Sequence, residues 1–505
     1  MKALLVYPKC PDTFWSFKHA LKFISKKAVH PPLGLLTVAA MLPDAWKKRL
    51  RDMNIESLND RDLEWADYVF ISAMVVQKES VEEIVARCRK AGVKIVAGGP
   101  LFTSAPGEIG GIDHFVLNEA EITLPPFLAD LEKGKANPLY TSDAFSDVHQ
   151  AAVPLWSLAP MKQYVSMNIQ YSRGCPFDCE FCDITSLYGR KVRTKTKTQL
   201  LKELDSLYAT GWRGSVFFVD DNFIGNKTKL VQDVLPALVE WMKQRKHPFV
   251  FSTEASINLS DDERLMQLMV RAGFDGVFVG IESPDEGSLA ECGKLQNKNR
   301  DLIASVKRIQ KAGLEVRGGF IVGFDHDTDS IFQKQIDFIQ KSRIITAMVG
   351  ILNAPRGTKL HQRLKREGRL LEKISGDNTD FTTNIVPKMG HGTLDTGYRK
   401  IISGIYSARP YYHRVKCFLK EHAPLGRSFT HLHLGGHIRF HFGYPAAIFK
   451  SIWTLGIRDK ARAHFWELIL WTLFRRPRLL PKAITYAIYG HHFRRVFQSC
   501  LRDSS

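Results

Sequence analysis

Tyr171-Ser172-Arg173-Gly174-Cys175-Pro176-Phe177-Asp178-Cys179-Glu180-Phe181-Cys182 places three thiols at C-x-x-x-C-x-x-C spacing, directly after the strand-like run Met167–Tyr171. Thiolates are soft ligands suited to zinc or iron–sulfur clusters. A closed zinc site wants a fourth Cys or His, and an ordinary cubane wants four cysteines. Within about thirty residues on either side there is no further Cys, and the one His, His149, lies before the strand. Three ligands on one loop leave one iron of a cubane open, and an open iron can take a substrate. Three unrelated buried thiols or a zinc knuckle are the other readings. The spacing, the preceding strand and the aromatic Phe181 together favour the open cluster.

With Phe181 before its last Cys, this motif resembles the signature of the radical S-adenosylmethionine (SAM) superfamily. The resemblance implies a 4Fe–4S cluster held by Cys175, Cys179 and Cys182, with SAM on the open iron.

The 505 residues allow roughly three domains and, at 44% hydrophobic and 24% charged, a sizeable core. The five other cysteines (Cys10, Cys88, Cys292, Cys417, Cys500) are scattered. No disulfide framework is expected, and a reducing cytosol fits. Met1–Pro8 is too short an apolar run for a signal peptide and reads as a first buried strand. No apolar run is long enough to span a membrane. The net charge of +19 is uneven, with 17 Lys/Arg against 4 Asp/Glu from Ile401 onward. Such a surface seeks an anionic partner, membrane or nucleic acid.

Residues 1–135 alternate short apolar runs with helical stretches. Strands are expected at Ala3–Tyr7, Leu50–Ile55, Tyr68–Val76, Lys94–Ala97 and His114–Leu117, with helices at Pro32–Leu42 and Val81–Ala91. Continuous apolar strands between helices mean a parallel sheet covered on both faces, with ligands beyond the carboxyl ends of its strands. The segments there carry Ser72, Gly98, Gly99, Thr103 and Glu119. Gly98-Gly99 can let backbone approach a bulky ligand. No G-x-G-x-x-G follows the first strand, which disfavours a dinucleotide site.

Joined to the cysteine motif, this layout resembles the cobalamin-binding domain that precedes the radical SAM domain in one large subgroup. The Asp-x-His-x-x-Gly motif that supplies a lower axial His elsewhere is absent, so cobalt would sit without a protein histidine. The polar, proline-bearing stretch 136–160 reads as a linker.

From 161 to 375 the strand–helix alternation returns, with strands expected at Met167–Tyr171, Ser215–Val219, Phe249–Thr253, Gly276–Gly280, Glu315–Val322 and Thr346–Ile351. Six parallel strands with outer helices make a partial (β/α)6 TIM-type barrel, whose chemistry belongs at the carboxyl ends. The resemblance puts SAM contacts at those ends: Asp221 after the second strand, Glu254 after the third, Glu282 after the fourth and Gly319 on the fifth, beside Phe181. Asp178 and Glu180 are expected to be solvated or helix-capping. The basic turn Arg190–Arg193 is expected to be solvated.

Residues 376–505 lose the alternation and read as mostly helical and basic. The segment Ala463–Arg476, apolar and aromatic and then basic, suits either a helix in a membrane interface or a core helix with a cationic end. Nucleic-acid binding is disfavoured because the Lys/Arg are dispersed among large apolar residues. His431, His433, His437 and His441 read as ordinary histidines rather than a metal site.

The chain as a whole is thus an α/β protein with a doubly wound (Rossmann-like) domain, a partial barrel and a helical tail. It resembles a cobalamin-dependent radical SAM methyltransferase. The resemblance implies radical removal of hydrogen from an unactivated carbon, a methyl supplied by methylcobalamin, and an external donor, flavodoxin or ferredoxin. The segments Trp15–His19 and Pro31–Leu35 and the basic tail resemble the hopanoid C-2 methyltransferase-like branch. They imply a small-molecule or lipid substrate for a cytoplasmic enzyme with peripheral contact at the inner membrane face. A cobalamin radical SAM enzyme that contracts or cyclises rings, or a non-catalytic sensor, are the alternative readings.

Overall fold

A computed structural model describes residues 1–371, 375–377, 379–422 and 443–498. The four histidines from 431 to 441, and Cys500, lie outside the described residues.

The amino-terminal sheet has six parallel strands: β1 (Lys2–Tyr7), β2 (Lys47–Asp52), β3 (Tyr68–Ser72), β4 (Lys94–Gly98), β5 (His114–Val116) and β6 (Leu139–Tyr140), in the order β2-β1-β3-β4-β5-β6. Alternate strand residues feed two apolar layers. Leu4, Val6, Val69, Ile71 and Ile95 lie under one set of helices, and Ala3, Leu5, Phe70 and Val96 under the other. The strand order switches sides between β1 and β3, the kind of crevice where doubly wound sheets take ligands.

Three expectations need adjusting. β2 starts at Lys47 and ends at Asp52, earlier than the apolar run suggested, because its polar residues pair with β1 along one edge. β3 stops at Ser72, and the chain then tightens into a 3-10 turn over Val75–Gln77. The stretch expected as linker supplies β6, which pairs with β5 through Phe115 and Val116.

The central sheet also has six parallel strands: β7 (Ser166–Ile169), β10 (Gly214–Phe218), β11 (Phe249–Glu254), β12 (Phe274–Glu282), β13 (Glu315–Val322) and β14 (Ala347–Ile351). They lie in sequence order and stay open between β7 and β14. A small antiparallel pair, β8 (Ser172–Arg173) and β9 (Arg193–Thr194), brackets the cysteine loop. Outward residues such as Val216, Phe218, Phe251, Val277 and Val349 are sealed under the helices. By strand alternation, Phe217, Ser252, Phe278, Gly319 and Met348 face the barrel interior.

The carboxyl-terminal region is helical, as its composition suggested, through His391–Tyr406, Ala408–Glu421, Gly443–Ser451, Arg462–Arg475 and Leu480–Val496. The first of these covers edge strand β14, where the Tyr398 and Tyr406 hydroxyls donate to the carbonyls of Val349 and Ala347 at 2.9 and 2.6 Å. An edge capped in this way cannot pair with another chain. No described helix is long and apolar enough to cross a membrane.

Candidate active site

The cysteine loop leaves β7 through a turn that two aspartates hold. Asp220 Oδ2 accepts from the Tyr171 amide at 3.1 Å, and its Oδ1 accepts from the amide and hydroxyl of Ser172. Asp221 accepts from the Gly174 amide at 3.2 Å. Gly174 has φ +91°, and a Cβ there would sit 2.9 Å from the carbonyls of Gly189 and Lys191. Only glycine lets the chain pass. Burial raises Asp220 to about 7 and Asp221 to about 6. The structure therefore gives Asp221 a loop-holding partner at the place where the resemblance implied a SAM contact.

The far side of the loop rests on the turn after β12. Glu180 N donates to Cys292 O at 2.9 Å, and a Cβ on Gly293 would meet Asp178 O at 3.1 Å. Asp178 and Glu180 cap no helix, and both are partly exposed members of ion pairs. Glu180 takes a two-pronged bond from Arg363 at 2.6 and 3.0 Å, and Asp178 pairs with Lys359. Both cations lie on the helix Lys359–Arg366, whose distant sequence position hid the pairing.

A pocket of about 420 Å³ opens beside Cys179 and Cys182, bounded by Asp178, Ser186, Arg190 and Gln362. Burial raises all three thiols, an effect that a bound cation reverses. Among the described residues, no three Cys, His, Asp or Glu side chains converge on one metal ion. A cubane makes no such demand, since each thiolate takes a different iron. Phe181 packs 6.2 Å from Phe324 in a small apolar cluster under the loop.

Two carboxylates stand at successive strand ends. Glu282 closes β12 in the left-handed region at φ +63°, a strained conformation for a residue with a side chain. It is buried and receives Lys294 Nζ at 2.8 Å. A Cβ on Gly280 would fall 2.2 Å from Glu282 Oε1 and 2.8 Å from Lys294 Nζ, so glycine makes room for this pair. Glu254 ends β11 with no hydrogen-bond partner for its carboxylate among the described residues. Burial, helped by Asp221 and Asp220, lifts it to about 8. An unpartnered carboxyl at the mouth of the barrel suits a hydroxyl-bearing ligand. Lys294 was not foreseen; it lies twelve residues past the fourth strand end, beyond the helix Glu286–Glu291, and only the fold returns it to Glu282.

The barrel interior below is mixed: Phe217, Phe278 and Met348 share it with Asn168 and Ser252, in register with Phe217, and Arg317, in register with Phe278. Trp15 enters from the amino-terminal segment, with its ring 5.4 Å from Phe278 and its Nε1 3.0 Å from Met348 Sδ. Gly319 carries no side chain because a Cβ would meet Phe278 at 2.8 Å. His30 lies 5.4 Å from Phe217, and its buried Nδ1 has no partner. Burial and the Arg317 charge bring His30 down to about 4, so it is neutral. Trp15 and His30 lie far from the barrel in sequence, and only the fold brings them in.

At the carboxyl ends of β3 and β4 in the first sheet, Ser72, Gly98 and Gly99 meet. A Cβ on Gly98 would lie 2.6 Å from Val116 O, and one on Gly99, at φ +88°, 2.5 Å from Ser72 Oγ. The strand ends therefore present bare backbone, the form that a bulky planar ligand requires. Thr103 Oγ1 accepts from the Asn118 amide at 3.0 Å and shapes this rim. Glu119 turns away from it. Its carboxylate takes a two-pronged bond from Arg193 at 2.8 Å and another from the Ser146 amide. Arg193 thus pins the basic turn to the first domain, while Arg190 and Lys191 are exposed as expected.

Comparison with known proteins follows the same division. Residues 23–128 match the B12 binding domain, residues 169–339 the radical SAM superfamily, and residues 358–505 a domain of unknown function (DUF4070). An uncharacterized methyltransferase of Synechocystis sp. is 40% identical, over 98% of this chain and 91% of its own. The hopanoid C-2 methylase of Rhodopseudomonas palustris is 32% identical, over 97% and 92%. Among solved structures, the radical S-adenosylmethionine methyltransferase TsrM of Kitasatospora setae, with cobalamin and a [4Fe-4S] cluster bound, superposes with a TM-score of 0.57. That likeness is 14% identical over 72% of this chain and 78% of the other, and it concerns the fold.

Proposed function

Because this chain belongs to the radical SAM methyltransferases that carry a B12-binding domain, the family of the hopanoid C-2 methylase, we propose that it methylates an unactivated carbon of a membrane lipid, a hopanoid-like polycycle being the first candidate. Its cofactors are a 4Fe–4S cluster, SAM and cobalamin. When bound, the cluster and SAM supply the hydrogen-abstracting radical, and cobalamin supplies the methyl group.

The chain's own residues do the positioning. Cys175, Cys179 and Cys182 would hold the cluster, on a loop that Asp220 and Asp221 fix from one side and the Cys292–Lys294 turn from the other. Glu254 and Glu282 stand where the hydroxyl and amino groups of SAM would lie. Ser72, Gly98 and Gly99 would face cobalamin. Trp15, Phe217, Phe278 and Met348 exclude water from the barrel interior. The observation that supports the lipid reading is the 32% identity to the hopanoid C-2 methylase over 97% of this chain, with Trp15, from the segment that resembles the hopanoid branch, packed on Phe278 inside the barrel. Flavodoxin or ferredoxin is the electron donor in this reading, and the enzyme works in the cytoplasm against a membrane.

Anaerobic reconstitution with iron, sulfide, cobalamin, SAM and a reductant, against a cell lipid extract, tests it by mass spectrometry. The expected product gains one CH₂ per turnover with release of 5′-deoxyadenosine, and Cys179→Ala abolishes both. A lipid pool unchanged in mass, while 5′-deoxyadenosine still forms, would overturn the lipid substrate.

A further inference from the structure

Among the described residues, eighteen large apolar side chains are exposed, and nine of them fall between Ile448 and Phe474. They lie on two adjacent helical stretches. In Arg462–Arg475, Phe465, Leu468 and Thr472 turn inward, as does Ala461 just before the helix. Trp466, Leu470 and Leu473 run along the outer face at helical spacing, and Phe474 beside them is 79% exposed. In the stretch before it, Ile448, Phe449, Ile452, Trp453 and Ile457 are exposed. Trp466 Nε1 donates to Gly456 O at 2.9 Å, which holds the two stretches side by side. A monomer seldom leaves so concentrated an apolar surface open to water without a use for it.

The charges around it have one sign. Between Gly443 and Arg478 the chain has seven Lys/Arg and two acids. Both acids are engaged, Asp459 by His491 and Arg494, and Glu467 by Lys416. Arg458, Lys460, Arg462, Arg475 and Arg478 are exposed and have no acidic partner among the described residues. Arg458 lies over the Trp453 ring, 4.9 Å from its centroid. Apolar residues with Trp, rimmed by unpaired cations, are the chemistry of a helix lying in a lipid interface.

We propose that Ile448–Arg478 is a docking surface for an anionic lipid bilayer, its two apolar faces seated in the headgroup region and its arginines on the lipid phosphates. Neither helix spans. The surface adjoins the amino-terminal segment that reaches into the barrel, since Lys450 Nζ donates to Lys22 O and Ser25 Oγ at 3.2 and 3.0 Å. Lys22–Ile24 ends the segment that places Trp15 against Phe278 and Met348. Delivery of a lipid substrate along this path rests on the function proposed above, whereas the docking itself does not.

Flotation of the full chain with vesicles tests the docking without any turnover. The protein is expected to float with phosphatidylcholine vesicles containing phosphatidylglycerol, and much less with phosphatidylcholine alone. Phe449→Glu with Leu470→Glu should abolish flotation. Arg475→Glu and Arg478→Glu should each weaken it about fivefold and reduce its salt dependence. All four positions are exposed, and an unchanged circular dichroism spectrum checks the fold. Failure to float, or equal flotation of Phe449→Glu/Leu470→Glu, would overturn the proposal. So would sedimentation showing that the patch pairs two copies of the chain and hides from vesicles. Flotation without a mass gain in the lipid would leave the docking standing and remove the lipid substrate.

Discussion

Arg173 grips Glu121 with both guanidinium nitrogens, Nη2 at 2.7 Å and Nη1 at 3.0 Å, across the boundary between the two sheets. Arg173 lies two residues before the first cysteine, and Glu121 lies on the helix that follows β5. The pair is 12% and 4% exposed. A one-sided loss leaves a buried charge without its partner, which costs about 3–5 kcal/mol.

Arg173→Ala should therefore lower stability by about 3–5 kcal/mol in chemical denaturation. Arg173→Ala combined with Glu121→Gln should lose less than the two single changes added together. Burial pushes Glu121 upward, but the hydrogen bonds and charge of Arg173 outweigh it and hold the carboxyl below its ordinary value. Stability from a depressed carboxyl is present above its unfolded value and is lost as pH falls through the folded one. Glu121→Gln should thus flatten the acid limb of the stability curve. An acid limb equal to the parent's would show that the pair does not matter.

Glu254 moves with the opposite sign. Burial lifts it from 4.5 to about 8 in the cofactor-free protein, so between those values the folded state keeps a proton that the unfolded chain has released. Stability should fall as pH rises across that window. Glu254→Gln should remove a loss on the order of a few kcal/mol, read from urea midpoints at either end of the window. Asp220 and Asp221 act on Glu254 through their charges, so the difference between the two proteins reports Glu254 together with its coupling to them. The same variant should weaken SAM binding about tenfold or more if the carboxylate accepts from the cofactor.

Gly98 and Gly99 should each refuse alanine. At Gly98 the new methyl meets the Val116 carbonyl, and at Gly99 it meets Ser72 at a positive φ. Each substitution should cost about 1–3 kcal/mol and reduce cobalamin retention, followed by the cofactor's visible absorption after gel filtration. Iron content should stay at parent levels, since the cysteine loop lies in the other domain. Normal cobalamin retention in both variants would remove these strand ends from the cofactor site.

Trp15 should govern substrate as well as packing. It is 40% exposed and packs on Phe14 and Phe278, so Trp15→Ala should cost about 1–3 kcal/mol of stability and still leave a folded protein to assay. Opening the barrel interior should raise KM for the acceptor and let 5′-deoxyadenosine form without a methylated product. Coupling unchanged from the parent would place the substrate elsewhere.

Much of the fold was legible because its strands are short buried runs between amphipathic helices. The six barrel strands follow that rhythm closely. The helix expected at Val81–Ala91 is found at Lys78–Lys90. What escaped was polar. β2 was misplaced because it carries Lys and Arg along an edge, and β6 because two residues between prolines give no periodicity. Glu119, Asp178 and Glu180 looked like ligand or surface residues. Their arginine and lysine partners stand as much as 183 residues away, and no local pattern announces an ion pair closed by the tertiary fold.

From residue order alone came the iron chemistry, since three thiols on one loop after a strand are a local arrangement that spacing fixes. The two-domain plan came the same way, because burial of a parallel strand is written in its own composition. Only the folded chain decided which acids are free and which are paired, that Trp15 and His30 enter the barrel, and that one apolar and basic face stays uncovered. Those are relations between distant segments, and packing in three dimensions sets them.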